Sequence, residues 1–216
     1  MDLTSLWPGN RVAWLKCLLF PVCLLPLLLF FIELFFGFVA EPVEEIRAFS
    51  GQWTLKFLLI TLGVSPLRKL PGMRQAIRFR RMLGLFSFFY ACIHFLTWII
   101  LDQNLQFDLI AGNIVEKPYV IVGFSSFVIL SALAATSPKR IMRRLGKFWT
   151  KLHRLIYFAA ILSVLHFLWL VKSDISEPVV YSLIATVLLL FRIPWKRIFT
   201  VGYHVEKTGE SRSFNR

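Results

Sequence analysis

The sequence predicts an all-α polytopic membrane protein, a bundle of six transmembrane helices. Hydrophobic residues make up 57% of the 216 positions and the mean hydropathy is +0.66, against about 45–50% apolar content in soluble domains. Apolar runs near the roughly 20 residues that cross a bilayer as a helix recur along the chain. The 25 lysines and arginines gather in short segments between these runs, where they act as topology determinants. A net charge of +13 suggests nucleic acid in a soluble chain, but no nucleic-acid module is recognisable and no such partner is expected.

Each span has its own local signals. The first apolar run, Cys17 to Ala40, is too long for a signal-peptide core, and the bulky Phe38 is third from its end, the −3 position of a cleavage site, so it reads as an uncleaved helix. Pro21 and Pro26 are expected to kink it, and Glu33 to lie at an interface. The second span, Gly51 to Val64, is short and stops at Ser65-Pro66-Leu67-Arg68. It either extends back to Ile46 or thins the bilayer locally. A basic loop (Arg68, Lys69, Arg74, Arg78, Arg80, Arg81) leads to the third span, Met82 to Leu101. The polar, acid-biased stretch from Asp102 to Glu116 follows, and Lys117-Pro118-Tyr119 opens the fourth span, ending near Thr136. A second basic loop (Lys139, Arg140, Arg143, Arg144, Lys147, Lys151) precedes the fifth, Leu152 to Val171. The turn from Lys172 to Pro178 connects to the sixth, Val179 to Phe191.

Basic segments alternate with poor ones, and with six spans the alternation is consistent only with both termini in the cytoplasm. The expected organisation is a cytoplasmic N-terminus (1–14), a transmembrane domain (15–200) and a cytoplasmic tail (201–216). The outward connections are too short to house a domain. Trp53, Trp98, Tyr119, Trp149, Trp169, Tyr181 and Trp195 fall mostly near span ends, as an aromatic belt does. Cys17, Cys23 and Cys92 lie in apolar runs without CxxC or zinc spacing, so they read as small buried hydrophobes.

Three histidines carry the chemistry. Ionisable residues inside a membrane span are costly and mark sites. His94 lies 13 residues beyond Arg81, and His166 lies 15 beyond Lys151. At 1.5 Å per residue both sit about 20 Å from the cytoplasmic side, within roughly 3 Å of one level. Two imidazoles at one depth are suited to clamp one heme iron from both sides, which favours electron transfer over oxygen binding; the alternative for each is an interhelical hydrogen bond, worth about 0.6 kcal/mol. His153 stands near the cytoplasmic surface, about 20 Å below His166 and roughly 140° away on an ideal helix. It suits a second redox centre or a bound headgroup or phosphate, and the third span offers Arg80 or Arg81 at its level, not histidine. His204, in the tail, is assigned nothing.

Several strings resemble the YedZ/MsrQ family over about residues 50–195. They are Ser65-Pro66-Leu67-Arg68, Arg80-Arg81-Met82-Leu83-Gly84-Leu85, Tyr90-Ala91-Cys92-Ile93-His94, Lys117-Pro118-Tyr119, Leu133-Ala134-Ala135-Thr136-Ser137 and Leu145 through Tyr157. The most specific is Trp149-x-x-Leu152-His153-Arg154-Leu155-x-Tyr157. The broader resemblance is to ferric-reductase-like transmembrane domains, six-helix heme b cores. It implies a bacterial inner-membrane cytochrome that carries electrons from the quinone pool or a cytosolic flavin reductase to a periplasmic molybdopterin methionine sulfoxide reductase (MsrP-type). The pair would repair oxidised envelope proteins. By position, His94 and His166 would be axial heme ligands and His153 a further heme-linked residue, for one heme b or two. FMN is implied by resemblance alone.

Larger relatives append a cytosolic FAD and NADPH domain. Here about 20 residues follow the last span and no GxGxxG sits in a βαβ context. The donor and acceptor are therefore expected to be separate molecules, and the chain an electron-transfer subunit without a substrate site of its own. The alternatives are a ferric or cupric metalloreductase core, and, from another class, a small proton-linked transporter. Against the transporter, no inverted repeat is seen and no helix is broken near the midplane.

Overall fold

The computed structural model describes residues 9–37, 39–67, 70–71, 73–171 and 175–192; the expectations for the N-terminal segment before Gly9, Phe38, the Arg68-Lys69 basic pair, Trp195 and the tail with His204 lie outside these. Among the described residues the chain is helical and contains no strand.

Helix α1 spans Gly9–Phe36 and holds Pro21 and Pro26 internally. Helix α2, Pro42–Leu67, starts further back than its apolar run. Proline at its first position is pre-set for a helix start, and Glu44 and Glu45 in the first turn complement the helix dipole. The helix that holds the expected second span thus extends past Ile46 to Pro42. Near its other end Pro66 has no N–H for the Leu62 carbonyl, four residues back. Arg192 supplies the missing donor, Nη2 to the Leu62 oxygen at 3.0 Å.

Helix α3 (Arg80–Leu96) passes into a π-helical turn, Thr97–Asp102, and the chain then reverses through Asn104 and Leu105, both at positive φ. The acid-biased stretch that follows is not merely a loop: Phe107–Glu116 forms α4, pinned by Asn113 Nδ2 donating to Gln103 Oε1 at 2.6 Å. Helix α5 is Pro118–Ala135. The second basic loop folds into two short helices, α6 (Lys139–Leu145) and α7 (Lys147–Leu152), which break at Gly146. Gly146 has φ +49° and ψ −121°, a conformation that a β-carbon disfavours. Gly146→Ala is expected to destabilise by about 1–3 kcal/mol, read as a lower unfolding midpoint in detergent. Helices α8 (Leu155–Leu170) and α9 (Ser176–Leu190) complete the bundle.

Among the described residues, four stretches are long and apolar enough to cross a membrane: Val12–Phe36, Arg80–Asp102, Pro118–Ala135 and Lys147–Leu170. The other two expected spans each satisfy half of that requirement. Helix α9 is apolar but has 15 residues. Helix α2 has 26 residues but carries Glu44, Glu45, Arg47, Gln52 and Lys56. Lys56, near its middle, lies 4.7 Å from the Trp53 ring centre and 3.5 Å from Gln52 Oε1. Gln52 in turn donates to Glu177 Oε2 at 3.1 Å.

Helix α2 packs along α3, α5 packs along α8, and α9 lies against α8 and α2. Leu55, Leu58, Leu59 and Leu62 recur at i, i+3, i+4 and i+7 on α2 and meet Leu130 and Leu133 of α5 and Ile156, Ala159, Ala160 and Val164 of α8. A second cluster joins Cys23 of α1 to Phe57, Val64, Leu83, Phe86 and Tyr90. Cys17, by contrast, is exposed on the bundle's flank, not buried as expected; its apolar surroundings in the sequence are outward-facing residues.

Polar contacts tie the paired helices. Ser87 Oγ donates to the Thr54 carbonyl and Ser126 Oγ to the Ala159 carbonyl, each at 3.0 Å, and Ser126 and Ser163 hydroxyls lie 2.8 Å apart. Such bonds within membranes contribute about 0.6 kcal/mol on average. Ser126→Ala is expected to lower stability by about that much, measured as a small shift in the unfolding midpoint.

Candidate heme-ligand site

Helices α3 and α8 bring His94 and His166 together, with ring centres 6.2 Å apart and ring planes at 84°. Each imidazole is held from the opposite side by a helix that it packs against. His94 Nδ1 lies 2.9 Å from the carbonyl oxygen of Arg47 on α2, and His166 Nδ1 lies 2.7 Å from that of Tyr119 on α5. A carbonyl only accepts, so both Nδ1 atoms carry the proton. The Nε2 lone pairs are left free, the form in which histidine ligates a metal.

Both rings border a cavity of about 860 Å³, whose wall includes Arg47, Trp98, Lys117, Tyr119 and Phe127. That volume lies within the roughly 300–1,000 Å³ of cofactor and ligand pockets. Two metal–imidazole bonds of about 2 Å, with the ring radii added, separate ring centres by roughly 6 Å. The observed spacing and the fixed tautomers are those that two imidazoles sharing one metal ion would have. In the cavity wall Arg47 Nη1 donates to Asp102 and Arg47 Nη2 lies 3.8 Å from Glu44 Oε1, so a guanidinium borders the cavity.

His153 does not join this pair. It sits in the turn between α7 and α8, so the angle on an ideal helix does not apply to it. Its ring stacks on Trp149, centres 4.0 Å apart, and its Nδ1 lies 3.2 Å from the Trp149 carbonyl. Trp149 Nε1 donates to the Thr136 carbonyl at 3.0 Å, fixing the stack against the end of α5. The side chain in electrostatic range from α3 is Arg80.

The reading from histidines alone missed Gly51 and Gly123. A β-carbon built on Gly51 would meet His94 Nδ1 and Cε1 at 3.0 Å; one on Gly123 would meet His166 Nδ1 at 2.6 Å and Cε1 at 2.7 Å. The available signal was the equal spacing of 43 residues from Gly51 to His94 and from Gly123 to His166.

Residues 47–164 match the family described as ferric reductase like transmembrane component. The chain is 50% identical over 159 residues to the protein-methionine-sulfoxide reductase heme-binding subunit MsrQ of Xanthomonas euvesicatoria pv. vesicatoria (strain 85-10), covering 74% of this chain and 72% of that one. It is 43% identical over 194 residues to the MsrQ subunit of Bordetella pertussis (strain Tohama I / ATCC BAA-589 / NCTC 13251), covering 88% and 94%. With the matched region running from the Arg47 carbonyl to the helix that carries His166, and with that identity over most of both chains, the chain belongs to the MsrQ family of ferric-reductase-like transmembrane proteins.

Proposed function

We propose that this chain is the heme-binding membrane subunit of a methionine sulfoxide reductase system. The observation that carries the reading is the His94–His166 pair, 6.2 Å between ring centres with both Nδ1 atoms engaged. A heme b held between two imidazoles supplies one-electron transfer without an open coordination site for oxygen. His94 and His166 are its axial ligands in this reading. The Arg47 and Tyr119 carbonyls hold the rings in the ligating tautomer and raise their basicity. Phe95 and Phe127, stacked 4.3 Å apart between α3 and α5, help to wall the cavity with apolar surface.

The route is across a bacterial inner membrane with six spans and both termini cytoplasmic, as the alternation of basic segments supports. Electrons come from the quinone pool or a cytosolic flavin reductase and leave to a periplasmic MsrP-type molybdoenzyme. His153 is a further heme-linked residue on the cytoplasmic side.

The test is an absorption spectrum of the detergent-purified protein, oxidised and then dithionite-reduced. Sharp low-spin b-type bands on reduction are expected, and heme titrated against protein counts one centre or two. A protein without a Soret band after heme-replete expression would overturn the reading.

A further inference from the structure

The two ligand-bearing helix pairs repeat one another. Gly51 and Gly123, His94 and His166, and Arg47 and Tyr119 all differ by 72 in residue number. So do Ser65-Pro66 and Ser137-Pro138, and His94-Phe95-Leu96 and His166-Phe167-Leu168. Leu58 and Leu130 are likewise offset by 72, and both are buried. In each half a glycine-bearing helix comes first and a histidine-bearing helix second, and the two pack together: α2 on α3, α5 on α8. The halves share chain order, so the repeat is direct and not inverted.

In each half the contact to histidine is the same. In an α-helix the carbonyl of residue i accepts the N–H of residue i+4, and a carbonyl oxygen keeps a second lone pair. A side chain at i+4 shields that lone pair from a neighbouring helix. With glycine at i+4 the carbonyl is open on that side, and it is there that each imidazole sits: Arg47 oxygen with Gly51, Tyr119 oxygen with Gly123. The other helix-packing glycines of the bundle lack this relation. A β-carbon on Gly63 or Gly84 would meet its nearest neighbour at 3.9 Å or 3.6 Å, and no histidine is involved.

We propose that Gly51 and Gly123 are positioning residues of a duplicated module, each opening the carbonyl four residues before it to the Nδ1–H of the histidine 43 residues after it. The inference rests on the reading of His94 and His166 as heme ligands. The glycines touch no reacting atom; they act through the imidazoles. The two positions are graded, because 2.6 Å is a distance that real β-carbons essentially never show, whereas 3.0 Å asks for a smaller adjustment.

The experiment compares Gly123→Ala, Gly51→Ala and the control Gly63→Ala in the full-length, heme-loaded, detergent-purified protein. Heme retention and the spin state of the ferric heme, by absorption and electron paramagnetic resonance, are the readouts. Gly123→Ala is expected to weaken heme retention about 10–100-fold, the range for losing an outer-shell partner, and to convert the remaining heme from low to high spin. Gly51→Ala shifts both in the same direction by less, and Gly63→Ala leaves both unchanged. A low-spin Gly123→Ala protein with wild-type retention overturns the inference, as does an equal loss in Gly63→Ala.

A second measurement covers the case in which Gly123→Ala folds poorly. In a His166→Ala background, Gly123→Ala should change the unfolding midpoint no further, because its effect runs through the imidazole. An added loss there means that the glycine serves helix packing, and the inference falls. Wild-type protein lacking a Soret band overturns the heme reading and this inference together, whereas a low-spin wild type with an indifferent Gly123→Ala overturns the inference alone.

Discussion

Purified His166→Ala protein loses the low-spin bis-imidazole spectrum that wild type is expected to show, and His94→Ala does the same. Loss of an outer-shell partner weakens metal binding about 10–100-fold; removing a ligand outright is expected to exceed that range for each of the two. The equivalence follows from geometry, since each ring contributes one Nε2 and each is fixed by one main-chain carbonyl. His153→Ala is expected to leave that heme at least partly in place, because His153 lies in the turn after α7, stacked on Trp149 and away from the cavity that the other two border. Heme-to-protein ratios for the three variants, measured side by side, check the assignment. Equal loss in all three would defeat it.

The second large effect is on stability. Tyr90 is fully buried on α3, and its ring lies 5.3 Å from Phe57, 6.1 Å from Trp53 and 5.4 Å from Phe89, centre to centre. Its hydroxyl donates to the Cys23 carbonyl of α1 at 2.9 Å. Truncating such a side chain leaves a cavity, and Tyr90→Ala is expected to destabilise by about 3–5 kcal/mol. Tyr90→Phe removes only the hydrogen bond, expected to contribute about 0.6 kcal/mol within a membrane. Unfolding midpoints in mixed micelles separate the two. Near-equal losses would mean that the tether to α1, and not ring packing, holds this cluster.

The site was partly legible from residue order. Counting from Arg81 and Lys151 put His94 and His166 at one level, and the rings do lie together, although the turn at His153 and Arg154 interrupts the second helix on the way. Their outer partners were not legible, since the acceptors are main-chain carbonyls of Arg47 and Tyr119, and no side chain announces a carbonyl. Helix α4 escaped notice because Asp102 to Glu116 is polar on average, although Phe107, Leu109 and Val115 give it exposed apolar surface. The break at Gly146 was hidden within a run of basic residues that reads as loop. The length of α2 was underestimated for the opposite reason: Glu44 and Arg47 look like loop residues, yet they form the first turns of the helix.

Lys56 carries a consequence for how the protein is made. On insertion scales a charged residue near the centre of a helix costs about 2.5–3.5 kcal/mol, and α2 also brings Gln52 and its link to Glu177. Its counterpart in the second half, α5, has Val128 at the matching position and carries no charge between Pro118 and Ala135. Crossing the bilayer alone is therefore unfavourable for α2 and easy for α5. In the proposed six-span topology α2 is expected to enter the lipid paired with the apolar α3 and not alone, so that the half of the site that holds His94 inserts as a pair of helices.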